Sequence, residues 1–346
     1  MIYGAYGYSG RLIAELAAER GLRPVLAGRD GARLARLGER LALDTLTVDL
    51  ARSKQLLDAV SKCHTVLHCA GPFSATARPM LEACVAGRTN YLDITGEISV
   101  FEAAHALDSA ARDAGIVVCP GVGFDVIPTD CVAAQLKEAL PSATHLSLGF
   151  DSRSILSPGT AKTAVEGLAQ GGCVREDGKL RQVPLAYRTR RIDFGDGEKL
   201  AMTIPWGDVS TAFYSTGIPN IQAYIPASPR LVKQTRRLNY LRGLLGLGFV
   251  QRILKNKAKK SMTGPDNEAL QKSQTYVWGE ARDDAGNIKT ARLVTGNGYK
   301  VTAHGALGIA QHLLGSDQPG GFYTPSKLVG SDFISKLEGC GRISIE

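Results

Sequence analysis

The residues best placed to do chemistry stand beside glycines. The segment GAYGYSG, 4–10, spaces Gly4, Gly7 and Gly10 as G-x-x-G-x-x-G, a variant of the G-x-G-x-x-G dinucleotide fingerprint. Glycine lets backbone approach a pyrophosphate closely. A helix beginning near Ser9 would turn N–H groups and a positive dipole end toward it. Tyr6, Tyr8 and Ser9 fill the positions between the glycines. Downstream, AGRD supplies Arg29 and Asp30. An Arg at the tip of a second strand suits a 2′-phosphate, so the pattern favours NADP over NAD. Arg33, one helical turn on, can assist, and Asp30 is expected to cap the helix that follows. Asp49 ends a third strand as an adenine-side contact. CAGPF, 69–73, sets Ala70, Gly71 and Pro72 where the nicotinamide ribose should lie. The expected cofactor is NADP(H).

Hydride transfer asks a protein for positioning and for a proton donor or polarising group. YLDITGE, 91–97, and GFDVIPTD, 123–130, bring Asp93, Glu97, Asp125 and Asp130 to strand ends, the edge where such sheets bind ligands. Asp125, Tyr91 and Lys162 are the catalytic candidates. Asp125 serves equally well as a helix cap, Tyr91 as a packing residue, and Asp130 is expected to cap. Gly96 and Gly121, with Gly123, would let backbone come close to the nicotinamide. Lys162 and Thr160, in GTAKTAVE, would reach the site from a second domain. YTPSK, 323–327, matches Y-x-x-x-K, but Pro325 breaks the helix that pair requires, so the stretch reads as a loop.

These residues need strands and helices in alternation, and the first 130 residues provide it. Strands at Ile2 and Tyr3, RPVLAGR, DTLTVDL, HTVLHCAG, NYLDIT and IVVCPG are separated by helices at 9–20, ARLARLGERLA, SKQLLDAV, ARPMLEACVAG and VFEAAHALDSAARDAG. That rhythm gives an α/β fold with a Rossmann-type, doubly wound parallel sheet. From about 145 the strands lengthen and alternate with turns, as in HLSLGFDS, LAYRTRRIDF, AMTIPW, IQAYIPAS and a hairpin around 284–287. The expected domains are an NADP-binding unit at 1–130, a mixed α/β substrate unit at 131–298, and a C-terminal helix and tail at 299–346 packing back on the first. No internal repeat is visible.

Taken together, GAYGYSG, AGRD, CAGPF, YLDITGE, CPGVGFDVIPTD, GTAKTAVE, GYKVTAHGAL and GGFYTPSKLVG resemble the saccharopine dehydrogenase-like oxidoreductases, nearest the trans-acting enoyl reductase branch. The resemblance runs nearly end to end. It implies an NADP-binding N-terminal domain and an oxidoreductase, and leaves the substrate open. Two features depart from the family. Tyr6 stands where the family has a small Thr, and only Met1, Ile2 and Tyr3 precede Gly4. Strands typically run about five to six residues. The expectation is therefore a start placed a few residues late or a frayed first strand, with cofactor binding surviving either.

Composition sets the outer limits. Over 346 residues, 44% are hydrophobic and 21% charged, an ordinary globular balance. No apolar run reaches the ~20 residues of a membrane span, and no signal peptide is evident. Seven scattered cysteines without C-x-x-C, and six histidines without H-E-x-x-H, argue for reduced cytoplasmic thiols and against a metal site. The net charge of +8 is concentrated: residues 230–260 hold ten Lys or Arg and no Asp or Glu, around the apolar stretch YLRGLLGLGFVQRIL. Such a segment suits an anionic membrane surface, an acidic acyl-carrier partner or a long acyl substrate, or else an apolar helix buried with a basic rim. It lacks the aromatic and motif content of a nucleic-acid site. A homodimer is also among the expected assemblies. Three functions follow: reduction of a C=C or C=O bond in an apolar, lipid-like substrate; C–N oxidoreduction, with Arg188 and Arg190 gripping carboxylates; or a catalytically silent lipid-surface protein.

Overall fold

The computed structural model describes residues 1–152, 167, 169–245, 247–253 and 273–346. The chain divides into two compact units, residues 1–127 with 299–330 and residues 128–298 with 331–346.

In the first unit the alternation is β1 Ile2–Tyr3, α1 Tyr8–Glu19, β2 Leu26–Gly28, α2 Gly31–Leu41, β3 Thr45–Thr47, α3 Ser53–Val60, β4 Thr65–His68, α4 Phe73–Gly87, β5 Asn90–Asp93, α5 Ile98–His105, α6 Asp108–Ala114 and β6 Val117–Cys119. A further strand, Gly321–Phe322, pairs parallel with β6. The seven strands run β6-β5-β4-β1-β2-β3 from that added strand, all parallel. This is the doubly wound order, with its reversal between β1 and β4. β4 and β6 are buried at every position, as expected for strands covered on both faces by helices.

β1 is short but not frayed. Ile2 and Tyr3 pair with Leu26 and Ala27 on one side and with Leu67 and His68 on the other, each 3% exposed. The Tyr3 hydroxyl donates to the Val48 carbonyl at 3.1 Å, and burial pushes its pKa up to about 12. Asp30 caps α2 as expected, accepting the Arg33 N–H at 3.1 Å. The helix expected over 100–115 is two helices instead, because Asp108 begins α6 and takes the Phe322 amide at 2.7 Å, tying that turn to the seventh strand. The helix Gly298–Gly315 is present as anticipated. The YTPSK stretch is not wholly a loop: Pro325 opens a helix, Pro325–Val329, at the one position where a missing N–H costs nothing. Tyr323 lies before that helix, so it shares no helix face with Lys327.

The second unit opens with α7, Ile127–Ala139, followed by β7 His145–Ser152, β8 Gly172–Glu176, β9 Lys179–Val183, β10 Thr189–Asp193, β11 Glu198–Ile204, β12 Asn220–Pro226, β13 Thr275–Arg282 and β14 Ile288–Thr295. These strands form a mixed sheet in which, among the described residues, only the β12–β7 pair is parallel. Its edge is the strand Ser344–Ile345, paired with β14. The tail 331–346 thus belongs to this second unit and not to the first, contrary to the expectation for 299–346. The β13–β14 hairpin stands where the sequence placed it, its turn closed by Asp283 accepting the backbone and side-chain N–H groups of Asn287, both at 2.8 Å.

β7 runs between β12 and β13, and Gly149 is level with Tyr224 and Trp278. A Cβ at Gly149 would lie 2.8 Å from the Tyr224 carbonyl oxygen and 3.2 Å from the Phe194 ring. Gly149→Ala is therefore expected to destabilise the protein by about 1–3 kcal/mol. The check is a lowered denaturant midpoint with an unchanged slope; an unchanged midpoint would refute the close approach.

Candidate functional site

The ladders bring two turns together. Tyr3 is level with His68, so β1 and β4 leave the sheet side by side, one into Gly4 and the other into Cys69 and Ala70. Gly4 has φ +80°, and a Cβ there would lie 2.8 Å from the Ala70 Cβ. The Gly7 N–H closes the turn on the Gly4 carbonyl at 2.9 Å, and a Cβ at Gly10 would strike that same carbonyl. α1 then begins with Gly7 as its N-cap, with no side-chain cap and no acidic residue in its first turn. Its positive end is thus not offset by a carboxylate of its own first turn.

The N-terminus of α4, which follows Ala70, Gly71 and Pro72, differs. Glu97 Oε1 accepts the Phe73 N–H at 2.9 Å and Oε2 accepts the Ser74 N–H at 2.7 Å. The protein supplies its own anion to this helix end. Glu97 is therefore a structural clamp and not part of a catalytic carboxylate cluster. Beneath the turn, His68 Nε2 lies 3.1 Å from Thr76 Oγ1, whose hydroxyl lies 2.6 Å from the Ala70 carbonyl. Burial drives the His68 pKa down to about 3, so the ring is neutral. The sequence signalled neither the Glu97 clamp, 24 residues from its contact, nor the His68 and Thr76 support.

At the tip of β2 three residues pack as a set. The Arg33 guanidinium sits 4.6 Å from the centroid of the Tyr6 ring and donates to the Tyr6 carbonyl at 3.2 Å. The ring occupies the space a side chain at Gly28 would need, since a Cβ there would lie 2.7 Å from Tyr6 Cε1. Arg29 is exposed immediately beyond Gly28. Asp30 is committed to its cap. Asp49 is exposed and accepts the Ala51 N–H at 3.0 Å. Tyr8 stacks edge-on against Tyr299 at 4.9 Å.

The carboxylates at the β5 and β6 ends separate into different roles. Asp93 is fully buried. It accepts the Thr95 and Gly121 N–H groups, each at 2.9 Å, and the Tyr91 hydroxyl at 2.6 Å. Burial outweighs these bonds and raises its pKa to about 6. Tyr91 is buried with its hydroxyl given to Asp93, and burial pushes its pKa well up. It is a packing residue with a fixed polar contact, not the proton donor proposed from sequence. Gly121 is likewise a core requirement: at φ +76°, a Cβ would meet Val126 at 2.6 Å and Phe101 at 2.9 Å. Asp125 is partly buried, and desolvation raises its pKa to about 6. Gly96 makes room for it, since a Cβ there would lie 2.9 Å from Asp125 Oδ2. Asp130 is not an N-cap; it sits inside the first turn of α7 and takes the Ser215 hydroxyl. In the second unit, Arg190 closes as a fork on Glu280 at 3.0 and 2.8 Å. Thr160 and Lys162 lie outside the described residues.

A parallel sheet in this order, with a glycine turn at its reversal, defines a dinucleotide-binding α/β unit. Residues 1–119 match the saccharopine dehydrogenase NADP binding domain family, and this N-terminal domain is of that NADP-binding kind. A trans-acting enoyl reductase of Mycobacterium bovis is 36% identical over 210 residues, covering 55% of this chain and 49% of that protein. A saccharopine dehydrogenase-like oxidoreductase of Mus musculus is 26% identical over 210 residues, covering 53% and 48%. The chain thus spans about half the length of the curated relatives it matches. Its fold is shared with the L-Glu-forming saccharopine dehydrogenase of Saccharomyces cerevisiae, with a TM-score of 0.63 at 10% identity, over 100% of this chain and 98% of that one.

The residues present fit the cofactor: the first turn of α1 adds no negative charge beside the glycine turn, and two cations stand where a 2′-phosphate would be read. Arg29→Ala is expected to weaken NADPH binding by roughly 10- to 100-fold, the worth of a charge-assisted hydrogen bond, while leaving NADH binding unchanged. Tyr6→Ala, which frees Arg33, should cost NADPH a smaller, several-fold loss. Fluorescence titration with both nucleotides measures this. Equal losses for NADPH and NADH would reject the assignment.

Proposed function

We propose that the protein is an NADPH-dependent oxidoreductase that reduces a C=C or C=O bond of an apolar, lipid-like substrate. The observation that carries the reading is Asp125. It is a desolvated carboxyl at the ligand edge of an NADP-binding unit, in a space kept open by Gly96. Gly4, Gly7, Tyr8, Ser9 and Gly10 would hold the pyrophosphate, Arg29 and Arg33 the 2′-phosphate, Asp49 the adenine side, and Ala70, Gly71 and Pro72 the nicotinamide ribose. When bound, NADPH supplies the hydride. Asp125 supplies the proton that completes addition across the double bond, and ends as a carboxylate that solvent reprotonates. The trans-acting enoyl reductase name of the mycobacterial relative supports a C=C bond. The apolar class rests on the basic, apolar stretch 230–260 of the sequence. The C–N alternative drew on Arg188 and Arg190; of these, Arg190 is closed as a fork on Glu280.

A proton donor with a pKa of about 6 is protonated below that value and ionised above it. The rate of NADPH oxidation with an enoyl or keto acyl thioester is therefore expected to fall about tenfold per pH unit above pH 6. Asp125→Asn should lower kcat by about 10²- to 10⁴-fold, abolish that limb and leave NADPH affinity unchanged. A variant that keeps both the rate and the pH limb, or an absence of turnover across the thioester panel, would reject the assignment.

A further inference from the structure

We infer that residues 229–245 and 247–253 form a docking surface for an anionic lipid bilayer. The base of this surface is firmly held. The helix Pro229–Leu238 is capped by Ser228, which accepts the Leu231 N–H at 3.2 Å, and begins with Pro at its first turn. Val232 is buried beside Ala186, Met202 and Ala227. Arg236 donates to the Ala186 carbonyl at 3.1 Å. Asn239 clips to the Leu185 backbone twice, accepting its N–H at 2.7 Å and donating to its carbonyl at 3.1 Å.

Beyond that clip Tyr240, Leu241, Leu247, Phe249 and Ile253 are exposed. Tyr240 is 91% exposed, Phe249 64% and Ile253 62%. Of the thirteen large apolar side chains exposed among the described residues, six fall within 231–253. These six side chains are exposed and not packed inward. Cations surround them. Lys233, Arg237 and Arg252 are exposed, and no Asp or Glu occurs from 230 to 260.

The pairing of protruding apolar groups with uncompensated positive charge is what an anionic interface binds, the first by insertion among the headgroups and the second by the surface potential. An acidic protein would satisfy the charge. A bilayer also takes up protruding apolar side chains such as Tyr240 without needing a shaped recess, so the bilayer is the occupant assigned. The inference concerns the second unit alone and does not depend on the oxidoreductase reading.

The test is flotation of the full chain with phosphatidylcholine vesicles, with and without a third of phosphatidylserine, at low and high salt. The expected result is binding only to the anionic vesicles, released by salt. Phe249→Ser with Ile253→Ser, and separately Lys233→Glu with Arg237→Glu, should each lower the partition coefficient by about tenfold or more. NADPH titration of each variant reports an intact fold and keeps failure here distinct from failure of the cofactor site. Wild-type protein that stays unbound at low salt would overturn the inference. So would binding undiminished in both variants, or capture of an acidic carrier protein without any vesicle binding.

Discussion

The parallel sheet turns on β1, a strand of two residues. Ile2 and Tyr3 carry the backbone ladder to β2 on one side and to β4 on the other, and both are buried. The strand order reverses at this point, so α1 and α4 leave their strands on opposite faces and a crevice opens between their starts. Gly4 and Ala70 meet there because the ladder sets them level, and only a residue without Cβ fits the φ of +80° that the first turn requires. A strand this short has little ladder to fix its register. The Tyr3 hydroxyl bond to Val48 fixes it from the far side of β2, and burial keeps that phenol protonated as a donor.

Two helix N-termini border this reversal, and one anion already belongs to one of them. Glu97 neutralises α4 with both carboxylate oxygens, while α1 has neither an acid in its first turn nor a side-chain cap. A pyrophosphate would therefore be drawn to α1 and held off α4 by like charge. The sequence shows two similar strand–turn–helix junctions there. The long-range contact of Glu97 separates them, occupying one junction while the other has no acid in its first turn.

Legibility followed range. Gly7, Gly10, the Asp30 cap and the β13–β14 hairpin are local devices whose geometry is set by near neighbours, and the sequence displayed them. Arg33 was visible one helical turn from Arg29, but its seat on the Tyr6 ring was not, because it depends on Gly28 leaving room 22 residues away from Tyr6. Tyr91 misled because strand position places a hydroxyl at a sheet edge without saying which carboxylate consumes it. Gly121 misled for the converse reason: a glycine at a strand end reads as ligand clearance, whereas Val126 and Phe101 fill the space. Asp130 has the residue type of a cap, but the helix begins three residues earlier and its carboxylate meets Ser215 on another helix. In each case the local pattern was right about residue type, and a contact distant in sequence decided the role.

Asp93 and Asp125 show how one physical cause yields two uses. Burial raises both to about 6. An acid whose folded pKa lies above its unfolded value stabilises the fold most at low pH, and that contribution is lost as pH rises from about 4 through 6. Ionising either residue at neutral pH thus costs stability. For Asp93 the cost is matched to structure. The carboxylate organises the Thr95 and Gly121 amides and the Tyr91 hydroxyl, and so builds the strand-end loops. Asp125 lies beside those loops, in the opening that Gly96 provides, with its desolvation as the cause of its shift. The scaffold carboxyl is pinned by three donors and cannot move its proton without loosening the edge it supports. Under the proposed reaction the titration that matters is that of Asp125, whose shift has desolvation as its cause.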